Sequence, residues 1–291
     1  MLNSAKNSVA TANAENQTAH ESPASPIQPS LLPTEHPVRP GHHQPLPCQP
    51  TDLCLLGERR TETPSAILLL MCGRFRLSRP EKLAGRFGIE PEDDWVPRYN
   101  IAPTQDIPVI RQHAEEPKRF GSRMRWGLIP FWAKDASVGY KMINARAETV
   151  ATKPSFRDAL KKRRCMIPAD GFYEWKKDGK VKTPFCFTMA DDSIFAFAGL
   201  WETWKNPEGQ LVETCSIITT TPNALVQDVH DRMPVILPDD VCDLWLDPGV
   251  QKPDAVCDLL KPFNPALMRR YEVSSRMNLV KNDDPACAEP V

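Results

Sequence analysis

The sequence predicts an α+β fold: one domain around a curved, largely antiparallel, barrel-like β-sheet with short flanking helices. Three observations lead there. Strand-like apolar runs mix with helical patterns of only a few residues, without the regular βαβ alternation of a doubly wound sheet. Pro91, Pro97, Pro103 and Pro108 break the chain repeatedly, which suits loops and short strands better than long helices. All seven Trp, four Tyr and eleven Phe lie beyond Met71, so the core-building residues belong to the 221 residues from Met71 to Val291, enough for one substantial domain.

The elements follow in order. Ser78 reads as the N-cap of a first helix, with Pro80 in its first turn, Glu81 at the capping-box position, Leu83 and Phe87 on one face, and an end near Gly88. Tyr99 to Gln105 is expected to be an extended loop leading into a short strand at Val109-Ile110, and Met124 to Leu128 another strand. Ser155 to Lys162 is a short helix with Phe156, Ala159 and Leu160 inward. Strands are expected at Cys165 to Pro168, Phe185 to Thr188, Ile194 to Leu200 and Thr214 to Thr219. Two helices close the pattern, Asn223 to Val229 behind Pro222, and the amphipathic Val241 to Leu246 opened by Pro238-Asp239-Asp240.

Residues 1–70 differ in kind. They hold ten of the thirty prolines and four of the six histidines but no aromatic core residue, a composition that cannot bury enough apolar surface to offset its ordering entropy. We read them as a disordered leader or as the product of a start codon placed too far upstream, followed by a domain over 71–285. The run Ala66 to Met71 is too short to span a bilayer, and Met1 to Gln17 lacks the apolar region of a signal peptide, so a cytoplasmic protein without membrane partners is expected. Nine cysteines, an odd number with no C-x-x-C pair, argue against a disulfide framework and against a zinc site. No metal or organic cofactor is implied. From Met71 onward 32 basic residues face 31 acidic ones, so bulk charge does not announce a nucleic-acid partner. Arginines nevertheless cluster at Arg74, Arg76, Arg79 and Arg86, again at Arg111, Arg119, Arg123 and Arg125, and Lys161 to Arg164 form a basic run; these read either as phosphate contacts or as solvated faces.

Chemistry concentrates in a few places. Cys72 follows a methionine, and methionine is trimmed before small residues; a chain starting at Met71, or cut there, would present an amine and a thiol on one residue. Their reference pKa values, about 7.7–8.0 and about 8.5, leave both partly nucleophilic near neutrality, and such a 1,2-aminothiol captures aldehydes. Glu174, set among Phe172, Tyr173 and Trp175, is either a desolvated acid–base group or the solvent-facing residue of an alternating strand. His230 is one of two histidines in the domain, beside Asp231, Arg232 and Pro234, and reads as a proton-transfer residue or as a structural one.

Met71 to Phe75, Tyr99 to Gln105, Trp126 to Pro130, Asn144 to Thr149, Gly171 to Trp175, Ala198 to Trp201 and His230 to Pro234 together resemble the SOS-response-associated peptidase (SRAP) family of abasic-site processing proteins, over essentially all of 71–280. The resemblance implies a monomeric protein of the nucleoid or replication fork that binds single-stranded DNA and links itself to abasic sites as a thiazolidine through Cys72. It assigns Glu174 to the Cys72 amine, His230 to a proton shuttle that opens the sugar, and Asn144 to hydrogen bonds that hold the site. Arg74, Arg146 and Arg232 would contact phosphates, and Trp126 would stack on a base. The family name also carries a peptidase activity, which Cys72 and Glu174 could exert on the Met71–Cys72 bond. Two other classes fit the opening motif or the binding residues: an N-terminal-nucleophile glutamine amidohydrolase, and a passive single-strand-binding module.

Overall fold

The sheets begin where the aromatic residues begin. The computed structural model describes residues 72–90 and 94–291, so the readings made for residues 1–70 lie outside the described residues. Its strands are β1 (Phe75–Leu77), β2 (Arg98–Ile101), β3 (Asp106–Gln112), β4 (Arg119–Trp126), β5 (Asn144–Arg146), β6 (Arg164–Ala169), β7 (Gly171–Asp178), β8 (Val181–Met189), β9 (Phe195–Lys205), β10 (Leu211–Thr220), β11 (Met233–Pro234), β12 (Ile236–Leu237) and β13 (Met268–Glu272). Four short helices, α1 (Leu83–Phe87), α2 (Arg157–Lys162), α3 (Cys242–Leu246) and α4 (Pro253–Cys257), lie between them.

Strands β10, β4, β3, β6 and β9 hydrogen-bond in that order, and β9 pairs back onto β10, so five strands close into a barrel. Every pair in the circuit is antiparallel except β10 with β4. Closure removes the free edges that would otherwise need protection. A second sheet runs β13-β8-β7-β1-β2. The fold is thus the expected α+β class, a barrel-like sheet with few short helices.

A chain of rings joins the two sheets. Phe75 on β1 packs edge-on against Trp126 of the barrel at 5.2 Å and Phe197 at 5.8 Å, while Phe172 and Phe187 stack at 4.9 Å. All five rings are buried, and each aromatic pair of this geometry adds about 0.5–1.5 kcal/mol beyond its area. Because side chains alternate along a strand, the inward Phe172 puts Glu174 on the same face of β7, toward the join between the sheets.

Several expectations are corrected. Ser78 caps no helix: its N–H and hydroxyl both donate to Oδ2 of Asp170, at 2.8 and 2.7 Å, and a 3₁₀ turn over Pro80–Lys82 precedes α1. Gly88 does end α1, in the left-handed conformation with φ of 65°. Tyr99 to Ile101 is strand, not loop, because Asp283 from the end of the chain accepts the N–H groups of Tyr99 and Asn100 and holds them straight. Asn223 to Val229 forms consecutive turns instead of a helix; the Asn223 side chain accepts from the N–H groups of Leu225 and Val226 and competes with helical bonding. Of the basic run, Arg164 is buried and donates to the carbonyls of Leu160, Lys161, Trp245 and Asp247, closing the C-terminal ends of α2 and α3. Among the described residues no helix is long and apolar enough to cross a membrane.

Candidate functional site

The site assembles at the join of the two sheets. Cys72 stands three residues before β1, and the pairing of β1 with β7 brings Glu174 beside it. The Cys72 main-chain nitrogen donates to Oε1 of Glu174 at 2.7 Å, and both residues are buried, at 4% and 2% exposure. The Cys72 φ of 49° is left-handed, a conformation costing a non-glycine residue about 1–2 kcal/mol. His230 completes the group, its Nε2 lying 3.9 Å from Oε2 of Glu174.

Burial dominates the electrostatics. It pushes the Glu174 carboxyl up to about 8, against the opposing hydrogen bond from Cys72. Burial, followed by the negative charge of Glu174, pushes the Cys72 thiol well above its ordinary value. Burial also holds the His230 imidazole below its ordinary value. The result is a carboxyl poised near neutrality between a nitrogen, a thiol and an imidazole, an arrangement suited to proton transfer. The solvent-facing alternative for Glu174 is overturned. No group of three or more His, Cys, Asp or Glu among the described residues has the geometry to hold a metal ion.

The remaining predicted residues divide. Asn144 opens β5, opposite Ile217 of β10, and Arg146 follows on the same strand, opposite Thr219 and exposed. Arg74 donates to Oδ1 of Asn100 and the carbonyl of Met277, and no carboxylate of the described residues lies within salt-bridge distance of it or of Arg146. Arg76, Arg79, Arg86, Arg111, Arg119 and Arg123, by contrast, are all ion-paired. Arg232 is buried too, gripping Glu148 through two hydrogen bonds of 2.6 and 2.9 Å and the carbonyl of Thr219. Its guanidinium ties the turn after β5 to β10, so the group read as a phosphate contact is already engaged by Glu148 and Thr219.

The reading of Trp126 is corrected. It is wholly buried, with its indole N–H donated to the carbonyl of Ile143 at 2.9 Å, so no base can reach its face. The exposed aromatics of the described residues are Phe131, Trp132 and Tyr140, 61%, 53% and 54% accessible, all on the segment joining β4 to β5; Phe131 and Trp132 are adjacent. Two neighbouring rings in a loop behind Pro130 were a legible signal, since so short a segment has little interior in which to bury both. The bracing role of Glu148 carried no such signal.

Fold and site together define a closed β-barrel protein in which Cys72 meets a buried carboxyl beside an imidazole. The chain belongs to the SRAP family: the family model described as SOS response associated peptidase (SRAP) matches residues 71–280. Among its relatives, abasic site processing protein YoqW of Bacillus subtilis (strain 168) is 50% identical over 224 residues, covering 75% of this chain and 99% of that protein. Abasic site processing protein HMCES of Gallus gallus is 30% identical over 264 residues, 76% of this chain and 78% of that protein. A crystal structure of a Bacteroides thetaiotaomicron protein aligns with a TM-score of 0.69 at 30% identity, covering 76% of this chain and all of that one.

Proposed function

We propose that this protein processes abasic sites in single-stranded DNA by linking Cys72 covalently to the lesion. The observation that carries the reading is the 2.7 Å contact between the Cys72 nitrogen and Glu174. Once Cys72 is the first residue, whether by trimming of Met71 or by cleavage of the Met71–Cys72 bond, that nitrogen is an α-amine beside a carboxyl able to take its proton. Freeing it also removes the main-chain constraint behind its left-handed φ. The family membership and the names of the relatives support the same reading.

The chemistry balances without a cofactor. An abasic sugar opens to an aldehyde, the amine condenses with it to an imine and releases water, and the thiol then adds across the C=N bond while its proton passes to nitrogen. Because amine and thiol share one residue, the second step is intramolecular, where effective molarities reach roughly 10⁵–10⁸ M. Glu174 removes the ammonium proton. His230 donates to the ring oxygen of the closed sugar; an oxygen about 2.8 Å from both Nε2 and Oε2 spans the gap between these two groups. Arg74 and Arg146 receive phosphates, and Phe131 and Trp132 take the stacking role away from Trp126.

The test is to incubate protein beginning at Cys72 with a single-stranded oligonucleotide carrying one abasic site and to resolve it on a denaturing gel. A heat-stable adduct, absent with Cys72→Ala, is expected. Intact binding with no adduct would leave a passive binding module, and appreciable glutamine hydrolysis would favour the amidohydrolase class.

A further inference from the structure

We propose that Asp231 is a positioning residue that lets His230 carry its proton, by accepting a hydrogen bond from Nδ1–H, which the ring bonded to Arg232 at Nδ1 does not have. Two groups face this one atom. The main-chain N–H of Arg232 points at Nδ1 from 3.1 Å, and Oδ1 of Asp231 lies 3.0 Å away. The two cannot be satisfied together, because the N–H requires a lone pair on Nδ1 whereas the carboxylate requires a proton there. Each partner therefore serves a different protonation state of Nδ1.

When the ring is neutral and bonded to Arg232, its single proton sits on Nε2, toward Glu174. On protonation Nδ1–H turns to Asp231, and Nε2 keeps its proton. After Nε2 has given that proton away, the one remaining is held on Nδ1 by Asp231, and Nε2 faces the site as a bare lone pair ready to accept. The ring thus changes from donor to acceptor at Nε2 without rotating. The ionisable groups acting on it are Glu174 and Lys177 from β7 and Asp231 from its own loop; Lys177 and burial disfavour the charged ring, and Asp231 favours it. Asp231 is 83% exposed whereas the His230 side chain is 12% exposed, so the carboxylate stays solvated while stabilising a charge that burial opposes.

The inference rests on the proposed crosslinking reaction only for its kinetic consequence, and the experiment separates the two. Titrating His230 by NMR in the full chain reads the first part directly. In Asp231→Asn and Asp231→Ala its pKa is expected to fall by about 0.5 to 1 pH unit, the scale of one charge about 3 Å away in high dielectric, and by less at high salt. In the crosslinking assay, the rate loss of both variants should be small at acid pH and grow to about 3–10-fold near neutrality, with DNA binding held within about twofold. An unmoved His230 pKa, or the same rate loss at every pH, would overturn the proposal. A displaced pKa with no adduct from any form, the native sequence included, would keep the role of Asp231 and sink the crosslinking reading instead.

Discussion

The main-chain nitrogen of Cys72 and the carboxyl of Glu174 share a buried 2.7 Å hydrogen bond across 102 positions of sequence. That carboxyl pays for its position in stability. Its folded value of about 8 lies above the ordinary carboxyl value of 4.5, so between those pH values the folded state holds a proton that the unfolded chain has released. Stability is therefore greatest below pH 4.5 on this account and is lost as pH rises toward about 8, by at most about 1.4 kcal/mol per pH unit. Glu174→Gln removes the titration. Urea unfolding at several pH values across this window should show the decline in the native protein and its loss in the variant, while adduct formation by the variant slows roughly 10²-fold or more. Parallel pH dependences in the two proteins would contradict this account.

The aromatic residues between Trp126 and Trp132 separate into core and surface. Trp126→Ala should destabilise the fold by about 3–5 kcal/mol, as emptying a packed core position does, because the indole fills the space beside Phe75. Phe131→Ala and Trp132→Ala should leave the melting temperature close to native yet weaken single-strand binding by about 1–3 kcal/mol each. Thermal melts and binding isotherms on all three variants distinguish the assignments. A Trp126 variant that melts normally but binds poorly would reverse them.

Arg74 and Arg232 should part company in salt. For Arg74→Ala the slope of log affinity against log salt should shrink by about one ion, since the guanidinium meets carbonyl oxygens and no carboxylate. Arg232→Ala removes the brace on Glu148 and Thr219, leaving the buried Thr219 carbonyl with one donor fewer, and should lower stability by about 1–3 kcal/mol. Equal salt slopes for native and Arg74→Ala proteins would exclude Arg74 from the phosphate path.

The segment that leads into Asn144 and β5 depends on two glycines pressed together. At Gly127, where φ is 131°, an added Cβ would lie 2.8 Å from the carbonyl oxygen of Gly139, and one at Gly139 would lie 2.7 Å from that of Gly127. Gly127→Ala should cost about 1–3 kcal/mol and slow adduct formation by displacing the segment that enters β5. Denaturant unfolding together with the gel assay measures both effects, and a variant of native stability would show that the loop relaxes freely.

Much of this protein was legible in its sequence. Proline spacing and short mixed patterns indicated α+β, and the strands at Cys165 to Pro168 and Thr214 to Thr219 lie within β6 and β10, because fully buried strands read as continuous apolar runs. Cys72, Glu174 and His230 stood out as chemical types in unusual settings. Other assignments depended on partners remote in the chain. Asp170 takes Ser78 away from its helix and Asp283 straightens Tyr99 and Asn100, and no local pattern reports a carboxylate about 90 or 180 residues away. Trp126 and Trp132 stand six positions apart in one aromatic stretch, yet barrel closure buries the first and leaves the second in solvent. The sequence by itself determined the fold class and the reactive groups, since both follow from local periodicity and side-chain chemistry. Only the tertiary structure decided which groups meet, which arginines keep a free charge and which carboxyl is desolvated, because burial and pairing are set by the packing of strands that lie far apart in the chain.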